Sequence, residues 1–350
     1  MFKRLAFTFS LTLALLSSVA HAVSDGTDGP KVINIGIADA GVGGRPATGG
    51  SSIASAHARG ILEEAFKEDG IQVKWVFFPT AGPGVNEALS NNLLDFAFQG
   101  DLPSLVGKSA GLPTRLILAE YRKGNLYVVA REGSGIESLK DLRGKKVALF
   151  KGTCLQLSTN RILQSAGLTE NDVRFYNMDF ASTTAALASG DIDAAFTGAT
   201  GAFPLRDRGI AKVIYDGRED GGKYGCASSI LVTEQFADKY RDATQKLVTT
   251  LVKDRIWAVN PKNRNDQYKL WAKSGYPYRT YKEDLDKADW ALRFSPLLDQ
   301  EFRDSYKSSV QDSLDFKLIR EPVDVDTWFD ESYIKKALSD LGLTQQNWHE

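Results

Sequence analysis

The chain has 350 residues, of which 43% are hydrophobic and 25% charged. This composition excludes a disordered, collagenous or coiled-coil protein, and the length suits two domains of ordinary size. The 43 lysines and arginines are balanced by 44 aspartates and glutamates, for a net charge of -1, so the chain has no basic excess to hold a phosphate backbone. We expect no nucleic acid partner.

Histidine is scarce: the chain has only 3 histidines, and they are far apart in sequence. The chain therefore has few histidine side chains from which to build a metal site or an acid–base pair. The sequence also has neither a G-x-S-x-G nucleophile elbow nor an H-E-x-x-H helix. We therefore expect no metal, no cofactor and no catalytic residues.

The N-terminus has the form of a secretory signal peptide. Lys3 and Arg4 precede an apolar stretch from Leu5 to Val19, and Ala20-His21-Ala22 matches an A-x-A cleavage site. We expect the mature chain to begin near Val23 and to be exported. No later segment has the roughly 18 to 20 apolar residues that a membrane span needs.

Two cysteines, Cys154 and Cys226, remain after this segment. In an oxidising compartment they can form a disulfide, or each can be a small buried apolar residue. The sequence leaves both interpretations open.

The sequence contains an internal repeat. Phe77 to Gly100 aligns without a gap on Phe175 to Gly198, and both segments read as strand end, loop, amphipathic helix, turn and strand. The identical pairs in the last part of the alignment are Ala88/Ala186, Leu89/Leu187, Asp95/Asp193, Ala97/Ala195, Phe98/Phe196 and Gly100/Gly198. Two copies are too few for a solenoid, so the repeat predicts two similar lobes.

Each copy is preceded by a further strand and helix. Val32 to Ala38 precedes a glycine-rich loop and a helix over 52–66, and Lys146 to Phe150 precedes a helix over 155–166. Strands that alternate with helices predict a parallel sheet covered on both faces in each lobe. Such sheets bind ligands in the loops at the carboxyl ends of their strands.

The C-terminal part is mostly helical after one more strand, Ser229 to Thr233. It is rich in aromatic residues, including Trp257, Trp271, Trp290 and Trp328. We expect it to pack back on the first lobe; a separate helical domain is the alternative.

The predicted strand-end loops span 39–52, 80–84 and 99–103 in the first lobe and 151–154, 179–183 and 198–201 in the second. Most lead into a helix, and helix N-termini bind anions through free N–H groups and the helix dipole. The alternative is that their hydroxyl residues only cap helices. The candidate ligand-binding residues are Arg45, Ser51, Ser52, Ala81, Gly82, Gln99, Gly100, Asp101, Thr153, Cys154, Ser182, Thr183 and Thr200.

Two charged candidates allow opposite interpretations. Asp101 repels an anion, so it either caps the helix that follows or pairs with an amine on the ligand; we favour the cap. Arg45 is a mobile cation that either folds over a bound anion or stays solvated.

Aromatic side chains near the loops offer apolar contact surface. Tyr121, Phe180 and Phe203 are the candidates for contact with the ligand, and core packing is the alternative for each.

Several segments resemble one family of proteins. They are ALSNNLLDFAFQGDLPSLVG at 88–107, SLKDLRGKKVALFKGT at 138–153, AGL-x-x-x-DV at 166–173 and ALASGDIDAAF at 186–196. Together they resemble the periplasmic solute-binding proteins of ABC importers for aliphatic sulfonates, taurine, sulfate esters and nitrate.

This resemblance implies a bilobal α/β fold of the periplasmic binding protein type II class, with hinge crossovers near 120–125 and 222–228. Lobe one would comprise 31–122 and 228–350, and lobe two 123–227. The long glycine-rich first loop departs from the usual form of the family and leaves the size of the ligand open.

The function implied is capture of an organosulfur oxyanion, namely an alkanesulfonate, taurine or a sulfate ester, by a monomer that docks on a membrane permease. Nitrate or another small molecule is an alternative ligand. A different class of protein, an enzyme resembling the thiamine pyrimidine synthases, would need histidine and cysteine in the cleft.

Overall fold

The computed structural model describes residues 29–46 and 49–349. The predicted signal peptide, residues 1–22, lies outside the described residues. Within the described ranges, no helix is both long and apolar enough to cross a membrane.

The strands form two five-stranded sheets. In chain order they are β1 (Val32–Ile37), β2 (Gln72–Phe77), β3 (Phe96–Gly100), β4 (Thr114–Gly124), β5 (Tyr127–Arg131), β6 (Lys146–Leu149), β7 (Arg174–Asn177), β8 (Ala194–Thr197), β9 (Ala211–Asp216) and β10 (Cys226–Thr233).

Helices cover both sheets and make up most of the C-terminal part. They are α1 (Ser52–Arg59), α2 (Ile61–Phe66), α3 (Ala81–Ser90), α4 (Asp101–Ser109), α5 (Cys154–Ser165), α6 (Phe180–Ser189), α7 (Ala199–Asp207), α8 (Glu234–Lys239), α9 (Arg241–Val259), α10 (Arg264–Ala272), α11 (Tyr278–Leu285), α12 (Trp290–Arg293), α13 (Gln300–Asp315), α14 (Val325–Trp328) and α15 (Ser332–Asp340). We call the sheet of β1 to β4 and β10 sheet one, and the sheet of β5 to β9 sheet two. Sheet one with its helices is the first lobe, and sheet two with its helices is the second lobe.

The two sheets have the same topology. Sheet one runs β2-β1-β3-β10-β4, and sheet two runs β7-β6-β8-β5-β9. The strands β1, β2 and β3 pair in parallel, as do β6, β7 and β8. However, β10 is antiparallel to both of its neighbours, and so is β5.

The prediction of purely parallel sheets is therefore wrong. β10 and β5 each enter a sheet through a crossover from the other lobe, so each runs against its neighbours. Residue patterns within a strand do not encode its direction, because that depends on pairing with strands distant in sequence.

The sequence repeat is confirmed by equivalent structure. β3 with α4 corresponds to β8 with α7, and the repeated aspartate accepts an equivalent backbone hydrogen bond in both copies. Asp95 accepts a hydrogen bond from the backbone N–H of Asn34 at 2.7 Å, and Asp193 accepts one from that of Lys146 at 3.0 Å. Each aspartate thus ties the strand it precedes to the central strand of the parallel trio.

The predicted helix over 52–66 is two helices in the structure. Gly60 has φ 64°, ends α1 and precedes α2. A residue with a left-handed backbone conformation cannot continue a right-handed α-helix, and glycine adopts this conformation at little steric cost.

The C-terminal aromatic residues pack on the first lobe, as predicted. Trp271, Trp290 and Trp328 are at most 2% exposed and share one core with the strands of sheet one. The rings of Trp271 and Trp290 are stacked with centroids 5.7 Å apart. The alternative of a separate helical domain is wrong, whereas the second lobe has cores of its own.

Candidate functional site

A cleft of about 250 Å³ lies between the lobes, at the carboxyl ends of the parallel strands. Residues of both lobes line it, which agrees with the expectation that strand-end loops converge there. The predicted ligand-binding residues along its wall are Ser51, Ala81, Gly82, Gln99, Gly100, Thr153, Cys154 and Thr200.

Several helices begin at this cleft without a side-chain cap. The N-cap residues of α3, α4, α5 and α7 are Thr80, Gly100, Thr153 and Gly198, and none of them bonds a first-turn N–H through its side chain. By contrast, α6 and α13 are capped by Asp179 and Asp299. Uncapped N-termini from both lobes give the cleft backbone donors and the positive ends of helix dipoles.

The N-terminus of α1 is occupied by a carboxylate of the protein itself. Glu120 accepts hydrogen bonds from the Ser52 hydroxyl and the Ile53 N–H, each at 3.1 Å. Its charge is paired with buried Arg255, whose Nη2 lies 2.6 Å from Oε2. Ser52 therefore anchors the cleft wall and leaves no hydroxyl donor for a ligand.

The two cysteines form a disulfide in the floor of the cleft. Cys154 begins α5 and Cys226 begins β10, and their Cα atoms are 5.5 Å apart. This answers the question that the sequence left open, and Cys154 lines the cleft as a disulfide sulfur. A Cβ on Gly100 would lie 2.8 Å from that of Cys154, so glycine is needed where α4 and α5 meet.

Asp101 faces away from the cleft. It is 2% exposed, accepts a hydrogen bond from the N–H of Leu102 at 2.8 Å and another from the Ser309 hydroxyl at 3.3 Å. It lines a separate cavity of about 460 Å³ beside Arg161. Burial raises the pKa of Asp101 to about 6, and Arg161 opposes the shift. Gly100 is the N-cap of α4 and Asp101 its first residue, so Asp101 is not the N-cap that we expected, although its carboxylate occupies the N–H of Leu102.

Three other predicted residues do not reach the cleft wall. Arg45 lies on an exposed loop, and its guanidinium approaches Gly275. Ser182 is exposed with its N–H bonded to Asp179, while Thr183 is buried within α6. The direction of a side chain, which the sequence does not give, separates these residues from those that line the site.

The aromatic candidates divide between the cleft and the core. Tyr121 and Phe180 line the cleft. Phe203 is 1% exposed and packs on Tyr127 with ring centroids 4.9 Å apart, so the core alternative holds for it.

The C-terminal helices contribute cleft residues that no sequence pattern marks. They are Tyr276, Tyr281, Asp284 and Arg293. Asp284 accepts hydrogen bonds across the lobes from the Asn125 amide at 2.9 Å and the Tyr127 hydroxyl at 2.5 Å. Arg293 is the one lysine or arginine on the described part of the cleft wall.

Asp39, two residues beyond the end of β1, is a further residue of the cleft wall that no sequence motif marks. It lies within the predicted loop 39–52 and accepts a hydrogen bond from the N–H of Ala40 at 2.7 Å. Burial raises the pKa of Asp39 to about 6. In the described part of the chain, no three His, Cys, Asp or Glu side chains are grouped so as to hold a metal ion.

Comparison with known proteins adds an independent result. The model of the NMT1/THI5-like family matches residues 64–263. A Bacillus subtilis (strain 168) protein, provisionally named an aliphatic sulfonates-binding protein, is 27% identical over 297 residues, covering 83% of this chain and 86% of that protein. A protein of Escherichia coli (strain K12) with the same provisional name is 31% identical over 185 residues, or 53% of this chain and 54% of that protein.

A solved structure has the same fold. It is described as the periplasmic sulfonate-binding protein, SsuA, of a provisionally assigned sulfonate ABC transporter from Methylobacillus flagellatus KT. The alignment has a TM-score of 0.74 and 27% identity, and covers 90% of this chain and 96% of that one. These results confirm the predicted bilobal fold and the resemblance found in the sequence.

Proposed function

This chain belongs to the NMT1/THI5-like family, and we propose that it is the periplasmic substrate-binding component of an ABC importer. It captures an organosulfur oxyanion, which is an alkanesulfonate, taurine or a sulfate ester, between its two lobes. The names of the similar proteins from B. subtilis, E. coli and M. flagellatus support this substrate class.

The observation that carries the proposal is the set of uncapped helix N-termini. Two of these helices, α3 and α4, belong to the first lobe, and two, α5 and α7, to the second. An oxyanion accepts several N–H hydrogen bonds at once, and such charge-assisted bonds are stronger than neutral ones. A ligand held from both lobes favours the closed state, because only that state makes all of the contacts.

The lobes in this proposal comprise 31–122 with 228–350 and 123–227, and they move about the paired crossovers. Contacts across the cleft support a closed arrangement. A Cβ on Gly152 would lie 2.8 Å from the Pro83 ring, and Arg206 of α7 binds Glu283 of α11 through two hydrogen bonds of 2.6 and 2.8 Å.

The role is binding and delivery, not catalysis. Both cysteines are in the disulfide, so neither supplies a thiol nucleophile. His57 packs edge-on against Trp75 and Phe77, with centroids 5.2 and 5.0 Å away, and is not part of the cleft wall. The proposed partner is an ABC-type permease, and the working form is a monomer.

Thermal unfolding of the mature chain, from Val23, tests the proposal. The ligands are taurine, longer alkanesulfonates, aryl sulfates, nitrate, sulfate and neutral analogues at constant ionic strength. A ligand at about 100 times its Kd adds roughly 2.7 kcal/mol to the free energy of unfolding. Selective stabilisation by a sulfonate or sulfate ester supports the proposal. A response to nitrate alone replaces the substrate class, and no response to any oxyanion refutes the anion site.

A proline substitution tests the helix N-termini directly. Ala199 is the first residue of α7, where proline fits a helix but lacks the N–H donor. We expect Ala199→Pro to weaken oxyanion binding at least tenfold, because a hydrogen bond to a charged group is worth about 1.5–3 kcal/mol. Gln300→Pro is the matched control, since Gln300 begins α13 outside the cleft. Equal affinities of the two variants would contradict the assignment of α7.

A further inference from the structure

Asp39 differs from the other carboxylates on the cleft wall. Glu120 is paired with Arg255 and accepts bonds from α1, and Asp284 accepts bonds from Asn125 and Tyr127. Asp39 accepts a hydrogen bond from its neighbour Ala40, and no ion pair between residues of the described ranges includes it. The carboxylate of Asp39 is therefore partly buried without an ion pair, and Arg293 is the cation that shares its wall.

A second acceptor on the same wall also lacks a donor. Gln99 is 2% exposed, and its amide nitrogen donates to Oδ1 of Asn86 at 3.0 Å. Asn86 in turn donates to the Pro103 carbonyl at 2.8 Å, which fixes the orientation of both amides. The Oε1 atom of Gln99 is consequently buried without a hydrogen-bond partner. Buried acceptors of this kind need a donor, and a ligand that fills the cleft can supply it.

Three tyrosines share the cleft wall with this carboxylate. Tyr121, Tyr276 and Tyr281 line the cleft with Asp39. Burial raises the pKa of each of these tyrosines, and the charge of Asp39 raises it further. Arg293 lowers the pKa of Tyr121, and its guanidinium lies 5.7 Å from the centroid of that ring. A carboxylate bordered by aromatic rings suits an ammonium group, since both attract a cation.

We propose that the cleft contains a cation subsite formed by Asp39 with Tyr121, Tyr276 and Tyr281, and that the transported ligand carries an ammonium group in addition to its oxyanion. This inference rests on the proposed function and narrows its substrate class to zwitterionic organosulfur compounds. The helix N-termini of both lobes hold the sulfonate end, and Asp39 of the first lobe holds the ammonium end. Asp101, which also was a candidate for an amine partner, points into another cavity.

Isothermal titration calorimetry with matched ligand pairs tests the subsite. Each pair is an ω-aminoalkanesulfonate with two, three or four carbons and the alkanesulfonate in which a methyl group replaces the ammonium. We expect the wild-type protein to bind the amino member of at least one pair about tenfold more tightly. Asp39→Asn preserves the size of the side chain and should abolish that preference while retaining alkanesulfonate binding.

Asp101→Asn is the matched control, because it removes another buried carboxyl group of the first lobe that lies outside the cleft. It should retain the preference for the amino ligand. If the wild-type protein binds both members of every pair equally, or if Asp39→Asn retains the preference, the cation subsite is refuted while the proposed function stands. If no sulfonate of either kind binds, the cation subsite is refuted and the proposed function is limited to sulfate esters.

Discussion

The buried pair of Glu120 and Arg255 allows a quantitative test of how the cleft wall is held. Both residues are 1% exposed. Arg255 also donates from Nη1 to the carbonyls of Ala119, Glu120 and Phe294, at 2.9, 3.1 and 3.0 Å. It thereby joins β4, α9 and the end of α12, and its charge depends on the carboxylate of Glu120.

We expect Glu120→Gln to lower the free energy of unfolding of the first lobe by about 3 kcal/mol. Removal of one partner from a buried ion pair costs about 3–5 kcal/mol, because it leaves the other charge uncompensated. The lower end applies here, since Asp254 also interacts with the charge of Arg255 and glutamine still accepts bonds from Ser52 and Ile53.

Urea unfolding followed by tryptophan fluorescence measures this loss. All 6 tryptophans lie outside 123–227, so their emission reports on the first lobe. Ser52→Ala is the control, with an expected loss of about 1 kcal/mol for one hydrogen bond. A loss below about 1 kcal/mol in Glu120→Gln would refute the reasoning, because it would mean that Arg255 does not depend on this carboxylate.

Further predictions concern the lobe contacts, the disulfide and pH. Arg206→Gln removes the ion pair with Glu283 between α7 and α11. It should weaken sulfonate binding about threefold to fivefold in calorimetry, because a partly exposed ion pair contributes about 1 kcal/mol. Arg143→Gln breaks an ion pair within the second lobe and should leave the affinity unchanged. The double variant Cys154→Ser with Cys226→Ser removes the disulfide, which joins residues 72 apart in sequence. Its free energy of unfolding, measured by chemical denaturation, should be up to about 4 kcal/mol lower than that of the wild type, and an unchanged free energy would contradict this. Because burial raises the pKa of Asp101 from 3.8 to about 6, the folded protein holds its proton more tightly than the unfolded chain, so this residue stabilises the fold below about pH 4 and loses that contribution as the pH rises through 6. Asp101→Asn should therefore show a smaller fall in Tm between pH 4 and 7 than the wild type, and parallel curves would argue against the shift.

The sequence determined much of the fold because its signals are local or repeated. The alignment of Phe77 to Gly100 on Phe175 to Gly198 gave the two similar lobes, and strand-to-helix turns gave the loops that line the cleft. The direction of β5 and β10 could not be predicted, because it depends on pairing across long sequence separations.

The candidate site was predicted in part for the same reason. Gly100 ends a strand, Thr153 and Thr200 follow strands, and the ends of parallel strands must meet at one edge of each sheet. Asp101 and Ser52 have the same sequence signal but turn away from the cleft, since neighbouring positions at a helix start point in different directions.

Only the tertiary structure decided which charges of the cleft are satisfied. Glu120, within β4, and Asp39, which follows β1, both line the cleft. Glu120 pairs with Arg255, whereas Asp39 forms no ion pair with any residue of the described ranges. Arg255 belongs to α9 and Tyr276 and Tyr281 to the α11 region, all far along the chain. The sequence thus determined the two lobes and predicted an anion site built from backbone N–H groups, because both follow from local patterns. The pairing of buried charges depends on distances between distant segments, so packing alone decided which carboxylate of the cleft has a cation as its partner.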